Sequence, residues 1–142
     1  MNPVRWTLFW AVLLVPGIGA GEQMQRFGDF EAHYVVFPST FVQSEIAHQY
    51  GLRRGPGLAV VNVSVLDASG EGTACAIAGH SKNLLGQISP LTFKEVREGD
   101  AVYYLAEVRH ADQVVLRFSL AITPVDAKPF TLNFQQRLYV EE

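Results

Sequence analysis

The sequence predicts an all-β protein, an immunoglobulin-like sandwich of two packed sheets with about seven strands and one short helix. Three observations support this fold class. Apolar and polar residues alternate with a period of two through most of the chain. Turn-forming residues recur roughly every eight to twelve residues, and only one segment has apolar residues at helical spacing. A chain of 142 residues has the usual length of a single domain.

Rows of apolar residues give the position of each strand. The row from Val114 to Ile122 alternates without interruption. The row from Phe130 to Val140 does so with Gln136 as a polar exception. Such rows belong to strands that cover a core with one face and meet solvent with the other. Shorter rows predict further strands at residues 30–37, 59–65, 73–77, 91–96 and 102–108.

The alternation also assigns a direction to individual side chains. Tyr104 belongs to an apolar row and is expected to face the core, so its neighbour Tyr103 is expected to face out. Asn62 and Ser64 oppose another apolar row and are likewise expected to lie on the outer face.

Two segments depart from regular alternation. The pattern slips within residues 91–96, and a β-bulge in that strand would explain the slip. Residues 42–50 instead show helical spacing, which predicts a short helix over one end of the sandwich. Thr40 or Ser44 can cap the start of this helix, and Gly51 can end it.

The first residues have the organisation of a secretory signal. Arg5 supplies a positive charge, an apolar run extends from Trp6 to Val15, and Gly19–Gly21 offers small residues for signal peptidase. The run is about ten residues long, whereas a membrane span needs about 20. We therefore expect a cleaved signal at residues 1–21 and a single periplasmic β-sandwich domain at residues 22–142. No membrane span is expected in the mature chain.

Charge and cysteine content exclude several classes of function. The formal net charge is −3, and the only adjacent basic pair is Arg53–Arg54, so nucleic acid is not an expected partner. The single cysteine, Cys75, cannot form an internal disulfide. It lies in a strand-like run without a neighbouring base or cation, so we interpret it as a buried small apolar residue and not as a nucleophile. No cofactor is expected.

Four stretches together suggest a family. They are Gln25–Tyr34, Asn83–Gln87, Arg97–Ala106 and Phe134–Val140. In this combination the chain resembles a family of small exported proteins of Gram-negative bacteria that is catalogued only as a domain of unknown function. The resemblance covers essentially the whole mature chain and implies a periplasmic location and a β-sandwich. It implies no catalytic or ligand-binding residue.

One strand offers a weak candidate for a binding site. Asp29, Glu31 and His33 alternate along one face, and with Tyr103 or Tyr139 they could bind a cation or a polar ligand. A solvated strand face gives the same pattern and is the favoured interpretation. The four histidines are not spaced as metal-ligand pairs, so no metal site is expected.

Two loops allow alternative interpretations. Leu84 and Leu85 are adjacent in the predicted turn Asn83–Gln87. They either plug one end of the sandwich, which is favoured, or form a patch that docks a partner. The charged segment Arg97–Asp100 could hold acid–base carboxylates, but it has the composition of an ordinary hairpin turn.

No catalytic residues can be named, so an enzyme is the less favoured class. The favoured function is a non-catalytic domain that binds a periplasmic protein. The alternative is a carrier of a small ligand or a metal, and a small hydrolase is less favoured still. The first of these rests on analogy with other β-sandwiches, because the sequence has no reactive constellation.

Overall fold

The computed structural model describes residues 22–140, so the expected signal at residues 1–21 lies outside the described residues. Within 22–140 the chain forms nine strands, one 3-10 helix and one short α-helix. In chain order these are β1 (Gln23–Phe27), β2 (Phe30–Pro38), the 3-10 helix (Ser39–Phe41), α1 (Ser44–Gln49), β3 (Leu58–Leu66), β4 (Cys75–Lys82), β5 (Ile88–Leu91), β6 (Lys94–Glu98), β7 (Ala101–Arg109), β8 (Val114–Pro124) and β9 (Phe130–Leu138).

The strands form two antiparallel sheets. One sheet has the order β1-β2-β3-β7-β6 and the other has the order β5-β4-β8-β9. The predicted all-β sandwich is therefore confirmed. Its main core contains the apolar rows of β3, β7 and β8, together with Leu132 and Leu138 of β9. Each fully buried Leu, Ile, Val or Phe stabilises the fold by about 1.5–3 kcal/mol relative to an exposed one.

A strand that the apolar pattern does not predict begins the described chain. β1 reads Gln-Met-Gln-Arg-Phe and has no apolar row, so its alternation carries no signal. It forms a hairpin with β2 through the turn at Gly28 and Asp29, and Phe27 stands opposite Phe30. Gly28 has a φ of 61°, in the left-handed region that glycine enters at little cost. Asp29 therefore lies in a turn and not on the strand face.

Residues 91–96 form parts of two strands in different sheets. β5 pairs with β4 in the four-stranded sheet, whereas β6 pairs with β7 in the five-stranded sheet. Leu91 and Val96 are both buried, and the chain crosses from one sheet to the other between them. The slip in alternation marks this crossing, so the predicted β-bulge was wrong. The structure has nine strands where about seven were predicted, because this segment forms two strands and β1 was not predicted.

The predicted short helix is present, although its start and position differ from expectation. Gln43 is the residue before α1 and makes no side-chain cap, so neither Thr40 nor Ser44 caps the helix. At the other end Gly51 has a φ of 68°, and the Leu52 amide donates to the Ala47 carbonyl at 2.8 Å. α1 packs on the outer face of the five-stranded sheet and not over an end of the sandwich.

This packing creates a second apolar cluster outside the main core. Ala47 and Leu52 from the helical segment contact the outward residues of the sheet, which are Val60, Val96, Ala101, Tyr103 and Leu105. Tyr103 is therefore fully buried, and the expectation that it faces solvent was wrong. Asn62 and Ser64, on the same outer face, are also buried. Within residues 22–140 no helix has the length and apolar character needed to cross a membrane.

Candidate functional site

Two regions of the structure are candidates for a site: a polar cluster on β1 and β2, and the loop that follows β4. The polar cluster consists of Glu22, Arg26, Glu31 and His33, and we call it the His33 cluster. The Nε2 atom of His33 lies 3.1 Å from Glu31 Oε1, and its Nδ1 atom lies 3.7 Å from Glu22 Oε2. Glu31 also pairs with Arg26 Nη1 at 2.8 Å. The antiparallel register of β1 and β2 brings these side chains together.

The His33 cluster favours the charged form of the imidazole. The Glu22 carboxylate, followed by Glu31, raises the pKa of His33 above its usual range, while partial burial opposes the shift. Both ring nitrogens thus face carboxylates, and this arrangement suits an imidazolium held between two anions. Nowhere in residues 22–140 are three His, Cys, Asp or Glu side chains grouped to hold a metal ion.

The other residues expected beside His33 lie elsewhere. Asp29 is in the β1–β2 turn, because β2, the strand that was expected to carry it, begins only at Phe30. Tyr103 lies under the helical segment, and its burial, with the Glu98 and Glu22 carboxylates, raises the pKa of its phenol. Tyr139 follows β9 at the edge of the other sheet and is 58% exposed. The structure therefore brings together only Glu31 and His33 of the predicted set.

Sequence reasoning missed two features beside the His33 cluster. Glu22 and Met24 accompany β1, which the apolar pattern did not reveal, and Met24 stands directly opposite His33. On the other side, β3 places Ser64 opposite His33 and Asn62 opposite Val35. The buried atoms Asn62 Oδ1 and Ser64 Oγ have no hydrogen-bond partner. No local signal in the sequence could have indicated this, because burial there depends on a distant segment.

The second region is the loop Asn83–Gln87 between β4 and β5, which we call the leucine loop. The Asn83 side chain closes it from inside. Its Oδ1 accepts hydrogen bonds from the amides of Leu85 at 3.0 Å and Gln87 at 2.9 Å, and its Nδ2 donates to Gln87 Oε1 at 2.7 Å. The Gly86 amide donates to the Asn83 carbonyl at 3.0 Å, with a Gly86 φ of 84°. The loop backbone is thus fixed by its own hydrogen bonds.

This loop holds two leucines away from the core. Leu84 is 67% exposed and Leu85 is 85% exposed, and Ile88 at the start of β5 is 58% exposed. The favoured expectation that these leucines plug the sandwich was therefore wrong. Neither leucine belongs to the main core. We call the exposed side chains of Leu84, Leu85 and Ile88, which lie within five consecutive residues, the apolar tip.

The remaining reactive groups have structural roles. The Cys75 amide donates to the Tyr104 hydroxyl at 2.7 Å, and that hydroxyl donates to Glu95 Oε1 at 2.8 Å. Burial, with a contribution from the Glu95 carboxylate, raises the pKa of the Cys75 thiol to about 12. A thiol with this pKa stays protonated at neutral pH and is a poor nucleophile. The turn at Gly99 and Asp100 is an ordinary hairpin turn between β6 and β7.

Comparison with known families identifies the class of protein. The profile of the family described as "Domain of unknown function (DUF4426)" matches residues 24–141. The chain belongs to this family. A crystal structure of a DUF4426 family protein from Pseudomonas aeruginosa PAO1 is similar at a TM-score of 0.80 and 34% identity, covering 86% of this chain and 98% of the other. No curated protein matches this chain significantly.

A more distant similarity is to FetP of uropathogenic Escherichia coli strain F11. A copper-bound single-residue variant of FetP matches at a TM-score of 0.63 and 13% identity, covering 84% of this chain and 95% of FetP. FetP as isolated after recombinant expression in the periplasm matches at a TM-score of 0.62 and 15% identity, covering 88% and 97%. At these identities the likeness shows a shared fold.

Proposed function

We propose that this protein is a non-catalytic interaction domain of the periplasm and that the leucine loop docks a partner protein. One observation carries the proposal: a loop fixed by its own hydrogen bonds keeps Leu84 and Leu85 exposed. Exposing two leucines in water costs solubility and contributes nothing to the core, so such a tip is typical of a contact surface. The periplasmic location rests on the expected signal at residues 1–21 and the small-domain architecture.

The exposure and charge of the tip define the partner. An exposed pair of leucines needs an apolar recess on the other protein, because a polar surface would not bury them. Lys82 stands at the base of the loop, at the end of β4. We therefore infer a folded partner whose apolar recess is bordered by acidic side chains, which would complement this cation.

Site-specific photo-cross-linking tests the proposal in intact cells. A photoreactive residue replaces Leu85 in one sample and Val125 in a matched control. Val125 is 60% exposed in the turn between β8 and β9, at the opposite end of the same sheet. We expect a single protein adduct from position 85 and none from position 125. The cross-linked peptide of the partner should map to an apolar recess.

A double variant, Leu84→Ser with Leu85→Ser, supplies the second arm. Because both side chains are exposed, its melting temperature should stay within about 2 °C of the wild type. The adduct formed from a photoreactive residue at Ile88 should nevertheless disappear. A lipid adduct, an adduct to a second copy of this chain, or no adduct at position 85 would each refute docking to a partner protein.

A further inference from the structure

The four-stranded sheet has an unusual charge content. β4, β5, β8 and β9 contain no Asp or Glu, although the whole chain has a formal net charge of −3. The charged residues that this sheet presents to solvent are Lys82, Arg117 and Arg137. The outer face of this sheet is therefore cationic on a protein that is otherwise acidic.

Two of these cations stand directly opposite each other. Lys82 of β4 pairs in register with Arg117 of β8, and both are exposed. Like charges at directly opposed positions of neighbouring strands destabilise a sheet. Within residues 22–140 neither side chain makes an ion pair or a hydrogen bond that would offset the repulsion. By contrast, Arg26, Arg53 and Arg97 each pair with a glutamate.

The two cations border an open groove of ≈ 430 Å³. Neighbouring positions on the same face of β4, β8 and β9 add further donors. His80 stands opposite Ser119, Ser119 stands opposite Asn133, and Arg117 stands opposite Gln135. Imidazole, hydroxyl and amide groups can all donate hydrogen bonds to an anion. The volume lies within the range of small-ligand sites, which is roughly 300–1,000 Å³.

A second groove of the molecule provides a comparison, because two of its cations bind partners within the protein. It has a volume of ≈ 330 Å³ and lies beside the helical segment. Two of the three cations that line it have partners, whereas the exposed Arg109 makes no ion pair within residues 22–140. Arg53 Nη2 lies 3.1 Å from Glu107 Oε1, and Lys94 Nζ donates to the Gly51 carbonyl at 2.8 Å. The groove on the four-stranded sheet differs in that both of its cations are unpaired and stand directly opposite each other.

We propose that this groove binds the phosphate group of a small anionic ligand, held between Lys82 and Arg117. A phosphate carries up to two negative charges, which would neutralise both opposed cations. Its tetrahedral oxygens can accept hydrogen bonds from several sides, and the guanidinium of arginine donates two parallel bonds to such a group. Ser119 and Gln135 would complete the contacts. The same chemistry could come from a soluble phosphate ester or from a phospholipid headgroup.

Titration of the ¹⁵N-labelled residues 22–142 with inorganic phosphate, followed by NMR, tests the site directly. Sodium chloride keeps the ionic strength constant, so general screening contributes equally at every point. We expect saturable shifts that are confined to the amides of β4, β8 and β9 around the groove. Arg117→Gln should weaken binding about tenfold, as loss of a charge-assisted contact does. Arg117→Lys keeps the charge but loses the two parallel bonds, so it should weaken binding less than Arg117→Gln does.

Matched controls separate a site from bulk electrostatics. Lys128→Gln removes an exposed cation from the β8–β9 turn, at the far end of the same sheet, and should leave phosphate binding unchanged. The double serine variant of the leucine loop should also bind phosphate normally, so the two proposals fail independently. Equal losses in Arg117→Gln and Lys128→Gln, or shifts spread over the whole surface, would overturn the site.

Two further titrations identify the source of the phosphate. Glycerol phosphate represents a soluble ester, and phosphatidylglycerol vesicles represent a headgroup, with phosphatidylcholine vesicles as the control. Saturable binding of glycerol phosphate that Arg117→Gln weakens supports a soluble ligand. Co-sedimentation with phosphatidylglycerol vesicles alone, again weakened by Arg117→Gln, assigns the groove to a headgroup. If neither probe nor inorganic phosphate binds, the proposal is wrong.

Discussion

The outer faces of the two sheets come from similar alternating strands, but one is covered and the other is open. On the five-stranded sheet, the segment between β2 and β3 lies across Tyr103 and Leu105. On the four-stranded sheet, the corresponding positions of β8 and β9 meet solvent. The comparison shows that period-two alternation assigns residues to two faces of a strand but does not tell whether the second face is also buried.

Polar contacts hold the segment between β2 and β3 in place on the five-stranded sheet. The Tyr50 hydroxyl donates to Glu98, and Lys94 Nζ donates to the Gly51 carbonyl at 2.8 Å. The Arg53 amide donates to Glu107 Oε2 at 2.6 Å. These contacts join the end of α1 and the following loop to β6 and β7. No segment of residues 22–140 covers the cationic face in the same way, and that face remains available to a ligand.

The largest expected effect on stability comes from making a cavity under the segment between β2 and β3. Tyr103→Ala removes a fully buried aromatic side chain from the second apolar cluster. We expect a loss of about 3–5 kcal/mol in the free energy of unfolding, as for other buried aromatic residues replaced by alanine. Ser119→Ala, on the open face of the other sheet, should change it by less than about 0.5 kcal/mol. Urea denaturation followed by circular dichroism measures both values.

The relative size of the two effects tests the comparison itself. If Tyr103→Ala and Ser119→Ala destabilise the protein equally little, the segment does not cover the five-stranded sheet in solution. Tyr103→Phe gives a second control, because it keeps the buried ring and removes only the hydroxyl. Its effect should be a small part of the effect of alanine.

The sequence predicts the part of the fold that depends on the main core. The rows of β3, β7, β8 and β9 point to it, and the structure buries Val61, Val63, Leu120 and Leu132 as those rows require. The family resemblance, the two-sheet sandwich and the short helix are also confirmed. These features follow from local hydrophobic periodicity, which a single sequence displays directly.

The features that the sequence does not predict depend on contacts between distant segments. β1 has no apolar row, and only its pairing with β2 makes it a strand. The burial of Tyr103 depends on a helix that begins about 60 residues earlier in the chain. The His33 cluster needs Glu22, which the β1 hairpin brings within reach. The alternation of β8 and β9 was predicted, but the strand predicted at residues 73–77 stopped short of Lys82, and the pairing of Lys82 with Arg117 needed the strand order.

A smaller effect is expected from the His33 cluster at the edge of the five-stranded sheet. Because the folded-state pKa of His33 is raised, its contribution to stability is fully present below the usual value of 6.5. That contribution is lost as the pH rises through the folded-state value. The melting temperature of the wild type should therefore fall between about pH 5.5 and pH 8 by more than that of His33→Gln.

The partner carboxylate provides the control for this pH dependence. Glu22 is the main cause of the raised pKa of His33. Glu22→Gln should therefore reduce the fall in melting temperature between the two pH values without abolishing it, since Glu31 remains. Equal pH dependence in the wild type and His33→Gln would show that the cluster does not hold a charged imidazole in solution.

The smallest expected effect concerns the open face. Lys82→Gln removes one of two opposed cations that lack a counter-charge, so without phosphate it should raise the free energy of unfolding by a few tenths of a kcal/mol. Lys128→Gln, which removes a cation from a turn, should not. With phosphate present the wild type should become more stable than Lys82→Gln. A ligand that binds only the folded protein stabilises the wild type more than a variant with weaker binding. Thermal melts of the three proteins, with and without phosphate at constant ionic strength, measure this crossover. If Lys82→Gln is still more stable than the wild type in phosphate, no bound anion offsets the repulsion between Lys82 and Arg117.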